Sequence, residues 1–362
     1  MASRDVLIVG VGSLTRAICS SLATTAAEPC VVTLLSGTPH NAAEVCYVAN
    51  TRAALSGTDV VFRALPAPEY SAEVFRSVLA RVKPAVVVNC ASHQSPWEGT
   101  RAPSAWSDLV ARAGFGVTLP LQSLPALTLA EAIADVHPQA LLVNACFPDA
   151  VNPVLKSLGL PVFCGTGNVM TIAASLRAAL QAGGGQGSLR VLGHHVHLHP
   201  PHRPDEEALA WLDGVPVPDV TETLRAQRGT PRSELNAVGG HATALLVSGL
   251  LDRREARVNL PGPSGLPGGY PVRISSGRIR LDLPSGMSRE RAVELNQRWA
   301  VLDGVQIRPD GEIRFTAEGD AETDKELPDL LSPFHADGIR ERCARMLLLR
   351  TRLRNVPSRS AA

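Results

Sequence analysis

The first half of the chain alternates short apolar runs with longer stretches of helical periodicity. Apolar runs of roughly four to eight residues between turn-forming residues are typical of buried strands. Strands that alternate with helices predict an α/β fold with a parallel sheet covered by helices on both faces. The predicted strands are Val6–Val9, Val31–Leu35, Val60–Phe62, Ala85–Asn89, Ala140–Asn144 and Pro161–Phe163. A helix over Met170–Ala182 follows, and the glycine-rich segment 183–187 ends it.

The pattern after residue 187 is typical of an α+β domain. The predicted elements are strands at 188–192, 256–260, 271–274 and 278–283 and helices at 233–251 and 288–301. A Pro-Asp-Gly turn between two alternating runs in Ile307–Phe315 predicts a hairpin. An amphipathic helix over 338–354 comes next, with its charges predicted to form a solvated face, and the basic tail after it is predicted to fray.

The length of 362 residues favours two domains and an extension, since one domain typically spans roughly 100 to 200 residues. We predict a Rossmann dinucleotide-binding domain over residues 1–150. A substrate and dimerisation domain is predicted over 151–304, and a C-terminal extension over 305–362.

The charge balance excludes several classes of partner. The 35 basic and 34 acidic residues give a net charge of +1 at pH 7, which attracts neither nucleic acid nor an anionic membrane. The seven cysteines include no C-x-x-C pair, a pattern typical of reduced thiols in a cytoplasmic protein. We find no run of about 18 apolar residues that predicts a membrane span. A small-molecule substrate is therefore the expected partner.

A glycine turn directly follows the first predicted strand. Gly10 and Gly12 precede a helical pattern, where glycines permit a tight turn and the helix N-terminus offers N–H groups to a pyrophosphate. Ser13 and Leu14 complete this predicted nucleotide loop. Thr15 stands at the third glycine position, so the helix is expected to pack less closely on the strand. The alternative is a plain strand-to-helix turn.

The end of the second predicted strand lacks the acidic residue that holds the adenosine ribose in enzymes preferring NAD. Ser36, Gly37 and Thr38 stand there instead, and Ser36, Thr38 and His40 offer donors to a 2′-phosphate. NADP(H) is therefore predicted at least as strongly as NAD(H). The alternatives are a ribose held by backbone and water, and a nucleotide site that has been lost.

Several segments, in matching order, resemble the lactate/malate dehydrogenase family. The resemblance covers residues 5 to 304. It rests on the glycine turn and on segments 86–92, 141–149, 165–168, 191–195 and 262–274. It implies a Rossmann domain followed by an α+β substrate domain, a nicotinamide nucleotide, and a homo-oligomer, either a dimer or a tetramer.

The resemblance also implies roles for individual residues. His195 matches the histidine that donates or accepts a proton while a hydride moves, and an ordinary pKa of about 6.5 makes both protonation states accessible. Arg101 matches the loop arginine that polarises the substrate carbonyl. The residues expected to contact the nucleotide beyond the two loops are Cys90, Ala91 and Asn144, with Cys146 as an alternative to Asn144.

Two positions depart from the family. An aspartate that orients the histidine and an arginine that clamps the substrate carboxylate are expected on the helix after the sixth strand, where Thr171 and Ala174 stand. Without them the histidine lacks an anion, and a 2-keto acid lacks a bidentate partner. The resemblance therefore implies a divergent member with an atypical substrate. Arg177 substitutes for the missing arginine only in a different helix register.

A run of histidines occupies residues 194–202. In a strand, His195, His197 and His199 share one face and form a candidate row of metal ligands, with acidic residues 205–207 nearby in sequence. The alternative is a set of partly solvated histidines that line a polar cleft beside the nicotinamide.

These observations leave three hypotheses for the function. The first is an oxidoreductase that uses NADP(H) or NAD(H) to interconvert a carbonyl or imine with its reduced form, on an atypical substrate of specialised metabolism. In it His195 moves the proton and Arg101 polarises the substrate. The second is a noncatalytic binding or partner protein that retains the fold. The third is a metal-dependent hydrolase or lyase that uses the histidine row.

Overall fold

A computed structural model describes residues 3–67, 69–316 and 327–358 of the chain. Strands and helices alternate through residue 182, as the apolar pattern predicts. These elements are β1 (Val6–Val9), α1 (Ser13–Thr25), β2 (Cys30–Ser36), α2 (Pro39–Ser56), β3 (Val60–Pro66), α3 (Ala72–Val82), β4 (Val86–Asn89), α4 (Glu98–Arg101), α5 (Ala105–Ala113), α6 (Leu119–Val136), β5 (Leu141–Asn144), α7 (Pro148–Ser157), β6 (Cys164–Gly165) and α8 (Asn168–Ala182).

The first six strands form one parallel sheet in the order β3-β2-β1-β4-β5-β6. The prediction of an α/β fold with a parallel sheet is therefore confirmed, and the strand order is that of a doubly wound sheet. The chain reverses its direction across the sheet between β1 and β4, and ligands of such sheets bind at the carboxyl ends of the strands beside that point. The carboxyl ends here are Val9 of β1 and Asn89 of β4, which lie opposite each other.

The sixth strand lies later than predicted. The apolar run Pro161–Phe163 precedes it, and pairing with β5 is formed by Cys164 and Gly165. Phe163 donates its N–H to Leu142 at 2.9 Å, and Thr166 donates to Asn144 at 3.0 Å. Pro161 has no N–H to contribute to a ladder, so pairing begins only after it.

Both faces of the sheet are buried. Val6 and Ile8 of β1 belong to one apolar cluster, whereas Leu7 and Val9 belong to another on the opposite face. All four side chains are fully buried, and burying such a side chain stabilises a fold by about 1.5–3 kcal/mol. This explains why β1 is a continuous apolar run rather than an alternating one.

The second half contains the remaining elements. They are β7 (Leu189–Leu192), β8 (Leu209–Leu212), β9 (Val215–Pro216), α9 (Val220–Thr223), α10 (Arg225–Gly229), α11 (Arg232–Leu251), β10 (Ala256–Pro261), β11 (Gly269–Ser275), β12 (Arg278–Leu281), α12 (Arg289–Leu302), β13 (Val305–Ile307), β14 (Glu312–Phe315), α13 (Leu327–Leu330), β15 (Phe334–His335) and α14 (Ile339–Arg354). Within the described ranges they give three small antiparallel sheets, β7-β8-β9, β10-β11-β12 and β13-β14-β15. The predicted α+β character of this half is confirmed.

The long helix α11 lies directly on α1. A Cβ added at Gly240 would lie 2.4 Å from the Cβ of Ala17, so the absence of a side chain at this position allows the two helices to approach. This packing brings the N-terminal end of α11 to the carboxyl edge of the sheet, beside the glycine turn.

The apolar helix α6 belongs to the core. The stretch Phe115–Val136 is long and apolar enough to cross a membrane by length and composition alone, but 83% of the relevant window is buried inside the protein. It packs against α3 and α14. Core packing thus accounts for its composition.

The C-terminal region forms the predicted hairpin and helix. Strands β13 and β14 pair antiparallel, and α14 packs against α5 and α6 through a cluster that includes Trp106, Leu121, Met346 and Leu349. The N–H of Ala105 donates to the carbonyl of Val356 at 2.9 Å, so the chain is held just past the helix. Residues 359–362 of the tail predicted to fray lie outside the described residues.

Candidate functional site

A cleft of about 660 Å³ opens at the carboxyl ends of β1, β4 and β5. The glycine turn lines one part of it, and His195 and several arginines line another. The N-terminal ends of α8 and α11 and the side of α14 complete the walls. This is the place where the strand order reverses, as expected for a doubly wound sheet.

The glycine turn is shaped as a cradle. Gly10 has a φ of +91°, and a Cβ there would lie 2.9 Å from the backbone of Cys90 and Ala91. A Cβ on Gly12 would meet no atom of the described chain within 4 Å, so the surface of the loop is open. Within the described residues no side chain caps α1, and its first turn holds no acidic residue. These N–H groups are free to bind an anion such as a pyrophosphate.

Thr15, at the third glycine position, forms a hydrogen bond within the glycine turn. Its side chain is fully buried, and its hydroxyl donates to the carbonyl of Gly10 at 2.8 Å. The structure therefore accommodates a threonine at the third glycine position by giving its polar group a partner inside the loop.

The predicted nucleotide residues fall into two groups. Gly10, Gly12, Ser13, Leu14, Cys90 and Ala91 line the cleft. Ser36 lies at the end of β2, where its buried hydroxyl donates to the carbonyl of Thr38 and accepts from the N–H of Thr38, both at 3.0 Å. Its one O–H donor is thus used by the turn. Gly37 and Thr38 are exposed beside it.

Asn144, predicted to contact the nucleotide, lies in a buried amide network. Its side chain is fully buried. The Nδ2 group donates to Asn152 at 2.9 Å and to the carbonyl of Cys146 at 3.0 Å, and Oδ1 accepts from Asn89 at 3.0 Å. The amide therefore ties β4, β5 and α7 together. Cys146, the alternative, lines the cleft.

His195 lies in a short 3-10 turn directly after β7 and faces the cleft. Its Nδ1 is 2.9 Å from a carboxylate oxygen of Asp303, and its backbone N–H donates to Asp149 at 3.1 Å. The ring lies between Phe115, stacked at 4.8 Å between centroids, and Phe147, edge-on at 5.3 Å. Asp303 accepts from Nδ1–H, so Nε2 is the ring nitrogen that can exchange a proton with a ligand.

Asp303 corrects the expectation that the histidine has lost its orienting anion. Thr171, at the position aligned with the family aspartate, donates its hydroxyl to the carbonyl of Gly167. The anion comes instead from the end of α12, 108 residues away from His195. Sequence analysis missed Asp303 because an Asp-Gly pair after a helix is typical of a simple C-terminal turn.

Two glycines fix Asp303 in place. Gly116 donates its N–H to the carbonyl of Asp303 at 2.8 Å, and a Cβ on Gly116 would lie 2.5 Å from the backbone of Gly304. A Cβ on Gly114 would lie 2.9 Å from the carbonyl oxygen of Asp303. Since the same turn carries Phe115, one close backbone contact positions both the anion and the ring that pack on His195.

The charges around His195 shift its pKa. Burial lowers the pKa of His195, but the charge and hydrogen bond of Asp303 and the charge of Asp149 raise it by more, so the net shift is upward. Burial raises the pKa of Asp149 to about 6, against the lowering effect of His195. Burial lowers the pKa of His194 to about 3. Of His194 and His195, His195 is therefore the one suited to carry a proton near neutral pH.

The histidine row predicted on a strand face is not formed. Strand β7 ends at Leu192 and the chain turns, so the alternation of side chains is lost. His197 has both ring nitrogens bonded, to the N–H of His194 at 2.8 Å and to the carbonyl of Glu206 at 2.8 Å. His199 accepts from Arg232 at 2.6 Å. In the part of the chain that the structure describes, no group of three His, Cys, Asp or Glu side chains could hold a metal ion.

The cleft has more positive charge than the sequence indicated. Arg101 lines it as predicted, and Arg232, Arg350 and Arg354 do so as well. Arg350 and Arg354 correct the expectation that the charges of α14 form only a solvated face. Arg177 lies elsewhere, where it donates to the carbonyl of Gly187 at 2.6 Å, so it does not replace the arginine missing at Ala174.

The loop that carries Arg101 is tied to α14. Glu98 is buried and pairs with Arg354, with an Nη2–Oε2 distance of 2.7 Å. Arg350 donates through Nη1 to the carbonyl of His93 at the start of the same loop. The C-terminal helix therefore forms one wall of the cleft and holds the segment that places Arg101 there.

Comparisons with known proteins agree with this architecture. Searches with family models and among curated proteins found no match. The lactate dehydrogenase of Cryptosporidium parvum, solved with lactic acid and nicotinamide adenine dinucleotide, is 16% identical with a TM-score of 0.51, covering 84% of this chain and 99% of that one. The malate dehydrogenase of Archaeoglobus fulgidus with NADH is 15% identical with a TM-score of 0.53, covering 82% and 96%.

A third match is the malate dehydrogenase of Picrophilus torridus in its apo form. It is 12% identical with a TM-score of 0.55, and the match covers 93% of this chain and 98% of that one. At these identities the likeness is one of fold. The chain has the fold of the lactate and malate dehydrogenases, in the divergent form that the sequence resemblance implied.

Proposed function

We propose that this protein is an NAD(H)-dependent oxidoreductase that interconverts a carbonyl or imine with its reduced form. The observation that carries the proposal is the His195–Asp303 pair, at 2.9 Å, in the same cleft as the uncapped glycine turn. A nucleotide cradle and a proton carrier that share one cleft are the two parts that hydride transfer requires.

The glycine turn suits a dinucleotide. Gly12 leaves the loop surface open, and the N–H groups of α1 are unused among the described residues, so Gly10, Gly12, Ser13 and Leu14 would hold the pyrophosphate. The bound nicotinamide would accept or supply the hydride. Two of the similar structures were solved with NAD or NADH, which supports NAD(H) here. The exposed Thr38 and the lack of an acidic residue at 36–40 keep NADP(H) as a second arm of the test.

His195 would move the proton. During oxidation of an alcohol, neutral Nε2 takes the hydroxyl proton as the carbonyl forms, and during reduction the protonated ring returns it to the oxygen or nitrogen. Asp303 holds the Nδ1–H tautomer and stabilises the charged ring. Arg101 lines the same cleft and would stabilise negative charge on the substrate oxygen.

The test is a titration of the purified protein with NADH and with NADPH, followed by nicotinamide fluorescence. We expect saturable binding of NADH at micromolar concentration, with NADPH weaker. A Gly12→Asp variant is the negative control and should bind neither nucleotide, because its carboxylate occupies the open face of the loop and repels the pyrophosphate. Binding of neither nucleotide would exclude the oxidoreductase and favour the hypothesis of a noncatalytic partner protein.

We further propose a substrate of specialised metabolism and a cytoplasmic location, where the seven free thiols would stay reduced. We propose that the protein self-associates through α2 and α11. Tyr47 and Leu55 of α2 and Leu245 of α11 are large apolar side chains that are exposed. Sedimentation equilibrium would detect a dimer or tetramer.

A further inference from the structure

Arg350 on α14 is an unusual cation. Only 9% of its surface is exposed, yet it lines the cleft. Met346 and Leu349 on the same helix are fully buried, which anchors α14 beside the cleft. The guanidinium itself is held by its hydrogen bond to the carbonyl of His93.

The hydrogen-bonding capacity of Arg350 is only partly used. Nη1 donates to the carbonyl of His93, whereas the buried Nε has no hydrogen-bond partner among the described residues. A guanidinium presents its donors as a planar fork that matches two oxygens of a carboxylate or phosphate. Buried donors of native proteins are normally paired, so the unused Nε indicates a missing acceptor.

No carboxylate of the described residues forms a direct ion pair with Arg350. The charge of Glu98 acts on Arg350, but the carboxylate of Glu98 is already hydrogen-bonded to Arg354. Arg101 adds a further positive charge to the same cleft. His93, beside Arg350, has a pKa lowered by burial and by the charge of Arg350, which favours its neutral form.

We propose that Arg350 binds an anionic group of the substrate, a carboxylate or a phosphate, at a distance from the reacting carbon. The proposal rests on the proposed function and specifies its substrate class. Arg232 is the arginine whose charge acts on His195, whereas Arg350 contacts the loop that follows β4. A substrate that reaches both His195 and Arg350 thus carries its carbonyl and its anion at separate points.

This assignment gives the C-terminal helix a role in specificity. Thr171 and Ala174 offer no cation where the family clamp is expected, while Arg350 supplies one from a different wall of the cleft. Neutral alcohols and ketones of the same length would lack the oxygen pair that the fork accepts and would bind weakly.

The experiment is calorimetric titration of the full-length protein with inorganic phosphate and with succinate, in the absence and in the presence of saturating NADH. The nucleotide blocks phosphate binding at the glycine turn, so the titration with NADH isolates the second site. We expect Arg350→Gln to weaken anion binding at least tenfold and Arg350→Lys, which keeps the charge without the fork, by a smaller factor. The preferred probe identifies the group as phosphate or carboxylate.

Arg340→Gln is the matched control, since Arg340 lies on the same helix but pairs with Glu131 away from the cleft; it should bind both anions as the parent does. Equal anion affinity in the parent and in both Arg350 variants overturns the proposal, as does a parent that binds neither anion. If Arg350→Gln does not fold, the comparison of Arg350→Lys with Arg340→Gln decides. A protein that binds NADH but shows no Arg350-dependent anion binding retains the proposed function and loses only this inference.

Discussion

At one end of the cleft a single strand, turn and helix supply the cradle, with Gly10 and Gly12 between β1 and α1. At the other end four separate segments meet: the turn at Phe115, the residues 147–149, the turn at His195 and the end of α12 at Asp303. The first end offers backbone N–H groups, and the residues that shape it, Gly10 and Gly12, lie in one local turn. The second works through side chains that must each arrive from a different part of the fold. The two ends are therefore expected to fail independently.

The largest effect is expected from His195→Ala. Loss of the proton carrier removes general acid–base catalysis, so turnover should fall by roughly 10²–10⁴-fold, while affinity for NADH stays nearly unchanged. Steady-state kinetics and fluorescence titration measure the two quantities. His335→Ala, an exposed position in β15, is the control and should change neither. A fully active His195→Ala enzyme would contradict the proton role.

A second variant, Asp303→Asn, keeps the shape of the side chain and removes the charge. Since Asp303 raises the pKa of His195 against the effect of burial, the variant should lower that pKa. Reduction requires the protonated ring and declines as pH rises through the pKa, so this decline should move to lower pH. We expect at least a tenfold loss of turnover as well, because the tautomer is no longer held.

The measurement for Asp303→Asn is the pH profile of kcat/KM in the direction of reduction. The surface variant Asp135→Asn, which breaks an exposed pair with Arg76, should leave the profile unmoved. The linkage to folding has the same sign: a raised histidine pKa stabilises the native state below the unfolded pKa, and this is lost as pH rises through the folded pKa. An unshifted profile in Asp303→Asn would mean that Asp303 has only a packing role.

The smallest effect is expected from Gly116→Ala. The added Cβ would lie 2.5 Å from the backbone of Gly304, and such overpacking costs about 1–3 kcal/mol of stability. Turnover should fall too, because the same contact positions Asp303 and Phe115. Urea unfolding measures the first effect. Gly249→Ala is the control, since a Cβ there meets no described atom within 4 Å and should be neutral or slightly stabilising.

The difference between a local turn and a site assembled from distant segments also determines which parts of the structure the sequence predicts. The alternation of apolar runs and the glycine turn are local patterns, so the parallel sheet, the hairpin at Val305–Phe315 and the cradle were predictable. Asp303 was not, because no local pattern marks a residue that acts on a histidine 108 positions away. The position of Arg350 at the cleft was not predictable either, because the charge pattern of its helix is also typical of a solvated face.

The hypothesis of a histidine row on a strand face was wrong for a different reason. Alternate positions share a face only in a strand. Here β7 ends at Leu192, the last pairing is an isolated bridge between Gly193 and Gly269, and a 3-10 turn begins at His195. Beyond that point His194 and His197 bond to each other through the backbone N–H of His194 at 2.8 Å. Polar side chains that satisfy neighbouring backbone groups compete with strand pairing, and a run of histidines offers many such groups.

The position of α14 has a consequence for how the protein matures. Synthesis proceeds from the N-terminus and earlier segments fold first, so the nucleotide cradle can form while α14 is still to be made. The wall that carries Arg350 and Arg354, and the grip on the loop of Arg101, arrive after every other part of the cleft. The cradle proposed for the nucleotide would therefore form early, and the wall proposed to select the substrate would form last.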